Sequence, residues 1–430
     1  MTIRIPSTRY AALAFALSVT HAAQAQQDVT LPQAIATALR RNPDALLARA
    51  TIDSARGEQR IAVALPNPTL SGLPNTPYQY AVSLPLDVMP SRLYRTRAAG
   101  IGVRASMLDR SDVLRQLRLS VTRAFLDVLL AQERRALARA RRAAVLQLLV
   151  ADSARVRAGD APARNLVRSE VELARADAEQ SRVEVDLQLT RGTLQALMGV
   201  AHPDTGFVAI GSLAYRPLEP TPASLALLAL SNRADLGAAR LRVEGSQELE
   251  HLASSLVLPT PVVSYVRQYT APFESGHFYS FGVAFDLPLL NLRGGERARA
   301  AAGVASARLA QDRSGIGVQR DVAAAEAEFR IQRSLVERFE SGLLRRMDES
   351  LTAVRYAYSR GASSLLDVLD AVRSNQEVRS DYVIALHDYW VSVHALNAAV
   401  GVDVFGAEGD DETLRRQRRR DPGRLPGGER

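Results

Sequence analysis

The sequence predicts a mainly α-helical protein built from two copies of one unit, each unit being a helix, a β-hairpin and a long helix pair. Three observations lead to this prediction. The same short motifs recur in both halves, two segments alternate apolar and polar residues, and one stretch without proline is long enough for a helix of unusual length. A repeated architecture also suits a chain of 430 residues that is 47% hydrophobic, because a single core rarely extends over such a length.

The composition excludes several classes of protein. Cysteine is absent, which excludes disulfides, thiolate metal sites, cysteine nucleophiles and lipidation through cysteine. The net charge of +8 comes from arginine alone, since the chain has no lysine. A charge of this size, spread over the whole chain, does not indicate the concentrated basic patch that binds nucleic acid. We therefore expect no nucleic-acid partner.

Residues 1–25 read as a signal peptide. Arg4 and Arg9 precede an apolar run over 10–19, and Ala23-Gln24-Ala25 forms a small-x-small cleavage site. Beyond Ala25 no stretch approaches the roughly 18 apolar residues that a spanning helix needs. An exported chain that enters a membrane must then do so as a β-barrel.

Landmarks recur in the same order in the two halves of residues 26–402, which predicts repeats at about 29–200 and 222–402. The matched landmarks are Leu65-Pro66-Asn67-Pro68 with Leu258-Pro259-Thr260-Pro261, Leu84-Pro85-Leu86 with Leu287-Pro288-Leu289, Gly159 with Gly361, and Gly199 with Gly401. After the second repeat, residues 403–430 contain seven acidic and seven basic side chains and few large apolar ones. This composition predicts a disordered charged tail.

Period-two alternation predicts strands at 78–86 and 279–287, with partner strands at 262–269 and 69–73. Apolar and aromatic residues occupy one face of each strand, and small or polar residues occupy the other. This pattern is typical of a membrane barrel, and a soluble hairpin is the alternative.

Long helices account for most of the remaining chain. Residues 95–157 contain no proline, and their apolar positions recur every seven residues, as in coiled-coil packing. Heptad series recur in the returning segments, so four long antiparallel helices are expected. Gly159 and Gly361 can take the positive φ that a tight turn between helices demands, which places the far tips there.

These features resemble the TolC-like outer membrane efflux protein family over essentially the whole mature chain. Asn42-Pro43-Asp44, Leu65-Pro66-Asn67-Pro68 and the run from Tyr356 to Ala371, with Arg360-Gly361-Ala362-Ser363 at its turn, carry the likeness. The resemblance implies a homotrimer with a twelve-stranded outer-membrane barrel and a periplasmic α-helical coiled-coil tunnel. It implies a periplasmic adaptor and an inner-membrane RND-type pump or ABC transporter as partners. The short first hairpin and the arginines at 95 and 97 most resemble the heavy-metal (cobalt, zinc, cadmium) resistance branch.

Two groups of residues are candidates for function. The tip residues Gly159, Gly361, Arg360 and Ser363 are expected to dock the adaptor, as the resemblance implies. Asp367 and Asp370 share one helix face just past a tip, so threefold symmetry would form a cation-attracting ring, and helix capping with Ser364 is the alternative. The family match favours a periplasmic gate made by this ring and Tyr358, with Arg168 available to pair with Asp370.

No catalytic or metal-binding pattern is found. His387 and His394 are seven apart, whereas helix-borne zinc pairs usually sit four apart, so packed histidines are expected. We therefore expect no enzyme, no cofactor and no metal site. The expected function is an outer-membrane exit duct, with heavy-metal cations, drugs or a type I secretion substrate as the candidate cargoes. A soluble periplasmic coiled-coil scaffold is the competing class.

Overall fold

The computed structural model describes residues 28–73, 78–87, 90–201, 207–221, 224–269, 277–285 and 287–406. The predicted signal peptide and residues 407–430 of the predicted tail lie outside this part. Packed structure continues past the boundary expected at residue 403, because Val404 is buried in the core and Phe405 packs against it. Within the described residues, no helix combines the length and the apolar character that crossing a bilayer requires.

The order of elements repeats, as predicted. The first repeat consists of β1 (Asp28–Thr30), α1 (Leu31–Arg41), α2 (Pro43–Val63), β2 (Thr69–Leu73), β3 (Tyr78–Pro85), α3 (Pro90–Ala158) and α4 (Ala163–Leu197). The second consists of β4 (Val208–Ile210), α5 (Leu225–Asn232), α6 (Ala234–Ser255), β5 (Pro261–Tyr269), β6 (His277–Phe285), α7 (Gly294–Arg338), α8 (Leu344–Ser359) and α9 (Leu365–Val400). The structure thus confirms the duplicated helix, hairpin and long helix pair.

In the first repeat the returning helix α4 ends against the end of α1. Gly199 has φ +71° and lies so close to the Arg41 carbonyl that an added Cβ would be 2.6 Å from its oxygen. Asn42 Nδ2 donates a hydrogen bond to the Leu197 carbonyl at 2.9 Å. The junction is therefore held by backbone acceptors and has no room for a side chain at Gly199.

The second repeat makes the same junction with different side chains. Gly401 has φ +91° and packs against Asn232, at the end of α5. Arg233 Nη1 donates to the Ala399 carbonyl at 3.1 Å. The Arg233 guanidinium thus takes the place that the Asn42 amide has in the first repeat. The junction keeps its geometry although the residue type differs.

The long helices pack as the heptad pattern predicts over most of their length. Helix α3 has 69 residues and is about 100 Å long. Its buried seam and those of α4 and α9 merge with the inner ends of α1, α5 and α7 in one hydrophobic core. The seam positions buried in this core include Leu117, Val121, Ala124, Val128, Ala131, Leu187, Leu194, Leu386, Val393 and Val400.

Towards the tips the seam changes character. Asp152, Ser169 and Glu172 are buried there, in place of apolar side chains. Helix α8 has no buried residue. The far ends of the helices are therefore held together by buried polar contacts as well as by apolar residues of α9 such as Leu365 and Val368. The polar contacts are more easily exchanged with water than a packed apolar core.

A π-helical turn over Phe339–Leu343 separates α7 from α8. Within it Gly342 has φ +105°, which interrupts the helical geometry. No pattern in the sequence predicts this kink. It divides the outgoing helix of the second repeat, whereas α3 of the first repeat is continuous.

The two hairpins form one antiparallel sheet in the order β2-β3-β5-β6. Cross-strand partners place Tyr80, Arg267 and Tyr279 in one row, and Ser83, Ser264 and Gly282 in another. One face therefore carries mostly aromatic and aliphatic side chains and the other mostly small or polar ones. The alternation predicted from the sequence is confirmed. Large side chains of the apolar face are exposed in the protomer, among them Leu70, Tyr80, Val82, Tyr279, Phe281, Val283 and Phe285.

A second sheet, which was not predicted, joins β1 to β4 in parallel. The segment after β4 is held against α9, where Tyr389 donates from its hydroxyl to the Arg216 carbonyl at 2.7 Å. Trp390 Nε1 donates to the Ala214 carbonyl at 3.1 Å. The connection between the repeats thus packs around the middle of the long helices.

Candidate functional site

Both predicted tip turns are present at the far end of the long helices. Gly159 has φ +83° and Gly361 has φ +74°, a conformation that glycine adopts without strain. In each turn the residue after the glycine donates its backbone N–H five residues back, at 2.9 Å. Both glycines and Arg360 are exposed, and Ser363 is half-buried. The residues predicted to dock a partner therefore lie together on an accessible end of the molecule.

Asp367 caps helix α9. Its Oδ2 accepts from the backbone N–H of Ser364 at 2.8 Å, from the Ser364 hydroxyl at 2.8 Å and from the Ser363 hydroxyl at 2.9 Å. The backbone hydrogen bond first, and then the two hydroxyls, lower the pKa of this exposed carboxyl below its usual range. Within the protomer Asp367 thus has the capping role, which was the alternative to the gate prediction.

A buried carboxylate joins three helices near the tips. Asp152 of α3 is fully buried. Its Oδ2 accepts from the Ser169 hydroxyl of α4 at 2.5 Å, and its Oδ1 accepts from the Tyr358 hydroxyl of α8 at 2.5 Å. We call these three residues the Asp152 site. It ties the helix pair of the second repeat to that of the first.

The surroundings of Tyr358 favour this hydrogen bond. Burial, followed by the hydrogen bond to the Asp152 carboxylate, raises the pKa of Tyr358 to about 12, so the phenol remains a donor at neutral pH. The Arg155 guanidinium lies over the Tyr358 ring, 4.9 Å from its centroid. Tyr358 was singled out from the sequence, but its two partners were not. The missed signal is the heptad spacing, because Asp152 continues the series through Ala138 and Val145, where an apolar residue is expected.

Arg168 and Asp370 line a groove of about 450 Å³ between α4 and α9. Both are exposed, and within the described part of the protomer they form no ion pair with each other. The groove also contains Arg164, Arg175 and Arg373, with Glu172 as the second acid. The groove thus contains four arginines and two carboxylates, so the surface beside Asp370 is basic. These arginines would offset much of the negative charge of the acidic ring expected from the sequence.

His387 is held by two carboxylates, Asp127 of α3 and Asp388 of its own helix. Its Nε2 lies 2.8 Å from Asp127 Oδ1 and its Nδ1 lies 2.9 Å from Asp388 Oδ1. Burial lowers the pKa of the imidazole, but the hydrogen bonds to the two carboxylates outweigh it and raise the pKa to about 9. The two acids bind opposite ring nitrogens and do not converge on one point. Among the described residues no cluster of three histidine or acidic side chains is arranged to hold a metal ion.

The second repeat matches a known protein family. Residues 225–402 fit the family model described as outer membrane efflux protein, a span that runs from α5 to the end of α9. Residues 225–402 therefore form an outer membrane efflux protein domain. Over the described chain, the tip turns, the long helices and the sheet have the fold of solved TolC-like outer membrane channels.

Known proteins are similar to this chain along most of its length. It is 26% identical over 387 residues to the cobalt-zinc-cadmium resistance protein CzcC of Cupriavidus metallidurans, covering 88% of this chain and 91% of that protein. The open-state MtrE outer membrane channel of Neisseria gonorrhoeae has a TM-score of 0.73 at 21% identity, covering 87% of this chain and 89% of that one. The outer membrane protein VceC of Vibrio cholerae has a TM-score of 0.71 at 19% identity, covering 87% and 96%.

The protein is accordingly an outer-membrane efflux channel that extends into the periplasm. This placement gives the two faces of the sheet their environments, since the apolar face of a membrane barrel contacts lipid and the polar face lines the interior. It also places the helix tips, which lie at the ends of the long helices away from the strands, in the periplasm.

Proposed function

We propose that this efflux channel is a homotrimeric exit duct for divalent heavy-metal cations, passed to it by a periplasmic adaptor and an inner-membrane pump. The cargo rests on one observation, the likeness to CzcC over 88% of this chain and 91% of that protein. No site for a resident metal is needed, because a duct passes its cargo on and its walls need only be wide and polar.

The strands support the trimer. One protomer contributes four strands, and β2 and β6 are each paired on one side only in this described sheet. An open strand edge in lipid leaves backbone N–H and C=O groups without partners, which is not tolerated. Three protomers would close a barrel of twelve strands, and the exposed apolar residues of the sheet would then face lipid.

The tips support a docking role. Gly159 and Gly361 are exposed at the periplasmic end, and a Cβ placed at either would meet open space. An adaptor can therefore reach these turns without displacing other parts of the chain. RND-type pumps and ABC transporters are both candidates for the inner-membrane partner of such an adaptor.

The gate is proposed to be the Asp152 site together with Asp370 and Arg168. The hydrogen bond from Tyr358 holds the second helix pair against the first within each protomer. Asp370 and Arg168 are exposed and have no ion pair with each other in the protomer, so they are available to a neighbouring protomer. Contacts of this kind are individually weak, on the order of 1 kcal/mol, and can yield when an adaptor docks.

Deleting the gene from its own host tests the cargo. We expect growth to be inhibited at lower concentrations of zinc, cobalt and cadmium salts, and we expect the parent gene on a plasmid to restore tolerance. Unchanged metal tolerance, with lost tolerance to a dye or an antibiotic, would assign the duct to another cargo. Outer-membrane fractionation of the plasmid-borne protein controls for failed expression.

A further inference from the structure

Arg267 is unusual among the residues of the sheet. In β2, β3, β5 and β6 it is the single arginine, and these strands contain no lysine, aspartate or glutamate. It lies in the row of Tyr80 and Tyr279, on the apolar face that contacts lipid. A charged side chain on that face is strongly unfavourable in the middle of the bilayer and is tolerated only near the headgroups.

Tyrosine rings surround this arginine. Its guanidinium carbon lies 4.8 Å from the ring centroid of Tyr269 and 5.6 Å from that of Tyr279. The Tyr80 ring packs against Tyr269 edge-on at 6.2 Å, and the Tyr265 ring stacks on Tyr279 at 6.1 Å. We call Arg267 and these four tyrosines the Arg267 cluster.

The position of the cluster along the strands fits the outer headgroup layer. The helices join the sheet at the Pro85, Pro261 and Phe285 ends of the strands, so these ends are periplasmic. Arg267 is two residues from the opposite end of β5, which finishes at Tyr269. Aromatic side chains at the two edges of a membrane barrel typically mark the lipid–water interface.

The charge of Arg267 has no protein counter-ion among the described residues, since none of their carboxylates lies within ion-pair distance of it. Its Nε is buried and makes no hydrogen bond. The ring faces cover the flat surface of the guanidinium. The N–H donors of its two terminal nitrogens, which lie along its edge, remain available for hydrogen bonds. A planar guanidinium edge is suited to bidentate binding of a phosphate.

We propose that the Arg267 cluster binds a phosphate group of an outer-leaflet lipid, a phosphorylated glycolipid in particular. Arg267 supplies the charge, and the tyrosines hold its guanidinium at headgroup level and contribute an apolar surface for the first part of the acyl chains. The inference rests on the strands lying in the outer membrane as a closed barrel.

Native mass spectrometry of the full-length protein in dodecyl maltoside tests this proposal, with diphosphorylated lipid A as the probe. Arg267→Gln should retain the lipid roughly tenfold less strongly than the parent, since a charge-assisted bidentate contact is lost. Arg308→Gln is the matched control, because Arg308 is an exposed arginine on α7, away from the sheet. Chemically dephosphorylated lipid A should be retained by the parent no better than by Arg267→Gln.

Three outcomes would overturn the proposal. These are equal retention of lipid A by Arg267→Gln and the parent, equal retention of the phosphorylated and dephosphorylated lipids, and displacement of the lipid by inorganic phosphate at concentrations similar to those of the lipid. If Arg267→Gln does not assemble, Arg267→Lys keeps the charge without the planar fork and should show an intermediate loss. Outer-membrane fractionation and metal tolerance of the same variants are measured in parallel, so failure of the duct itself is distinguished from loss of the lipid contact.

Discussion

At the scale of single residues, the Asp152 site places a buried carboxylate among neutral hydroxyl donors. Asp152 receives hydrogen bonds from Ser169 and Tyr358, which come from different repeats. A buried acceptor that loses one donor costs more than the hydrogen bond itself, because the carboxylate is left undersatisfied. Loss of the tyrosine hydroxyl should therefore loosen the tips with little change of volume.

We predict that Tyr358→Phe raises the resting conductance of the channel in planar bilayers. The matched control is Tyr356→Phe, since Tyr356 is 63% exposed and lies two residues earlier on the same helix. The aromatic ring at position 358 is kept in the variant and would still pack, so a change must come from the lost hydroxyl. Equal conductance of both variants and the parent would remove the Asp152 site from the gate.

His387 predicts a pH dependence of stability. Because its folded-state pKa is raised from 6.5 to about 9, protonated His387 stabilises the folded protein. This contribution is fully present below pH 6.5 and is lost as the pH rises through 9. Its upper limit is on the order of 3 kcal/mol per protomer, from the size of the shift.

The thermal midpoint of the parent should consequently fall between about pH 7 and about pH 10 by more than that of His387→Gln. Circular dichroism in the far ultraviolet on detergent-solubilised protein measures this difference. Parallel curves for the two proteins would mean that the contacts of His387 with Asp127 and Asp388 contribute nothing to stability.

The sequence indicates only part of this residue-scale chemistry. Tyr358 and the shared face of Asp367 and Asp370 could be recognised from spacing and family resemblance. The partners of Tyr358 could not, because Asp152 is more than two hundred positions away and only the packed fold brings them together. Whether Asp367 caps or gates also depends on which groups surround its carboxylate, which spacing alone does not determine.

At the scale of elements, the glycines that end the helices differ in what surrounds them. Gly159 and Gly199 both have positive φ, but a Cβ at Gly159 would meet nothing within 4 Å, whereas one at Gly199 would lie 2.6 Å from the Arg41 oxygen. Gly159→Ala should cost about 1–2 kcal/mol from backbone strain alone. Gly199→Ala should cost roughly 3 kcal/mol or more, because the α1 to α4 junction must also open.

Thermal denaturation of the two variants checks this prediction. We expect Gly199→Ala to lower the midpoint of unfolding clearly more than Gly159→Ala does. Similar midpoints would show that the junction between α4 and α1 can shift to accept a methyl group.

The tip turns carry a separate prediction about docking. Gly361→Trp should abolish metal tolerance in the complementation assay while trimer formation and outer-membrane insertion remain, because its bulk projects into open space rather than into the fold. Ala362→Trp, one residue further on, tests how local the effect is. Export that survives with Gly361→Trp would place the docking surface elsewhere.

Periodicity predicts most of the elements, and the exceptions have physical reasons. The strands and long helices follow from period-two and heptad patterns, which report burial directly. The kink at Gly342 does not, because Gly303, Gly315 and Gly317 occur within helix α7 without interrupting it. The presence of a glycine therefore does not identify which position interrupts the helix.

At the scale of the whole molecule, the mass of the detergent-solubilised complex is the direct test of assembly. We expect three protomers per particle, because four strands with two open edges cannot close and twelve can. Multi-angle light scattering corrected for bound detergent measures the protein mass. A stable monomer, or full extraction from membranes by carbonate, would contradict the trimer.

The open edges of β2 and β6 also have a genetic consequence. If each barrel is completed by neighbours, protomers from two alleles are mixed in every cell that makes both. With equal synthesis and random assembly, only about one trimer in eight would contain parent protomers alone. A tip variant that assembles but cannot dock should therefore be dominant, and overexpressing it in a wild-type host should cause metal sensitivity even though the normal gene is intact.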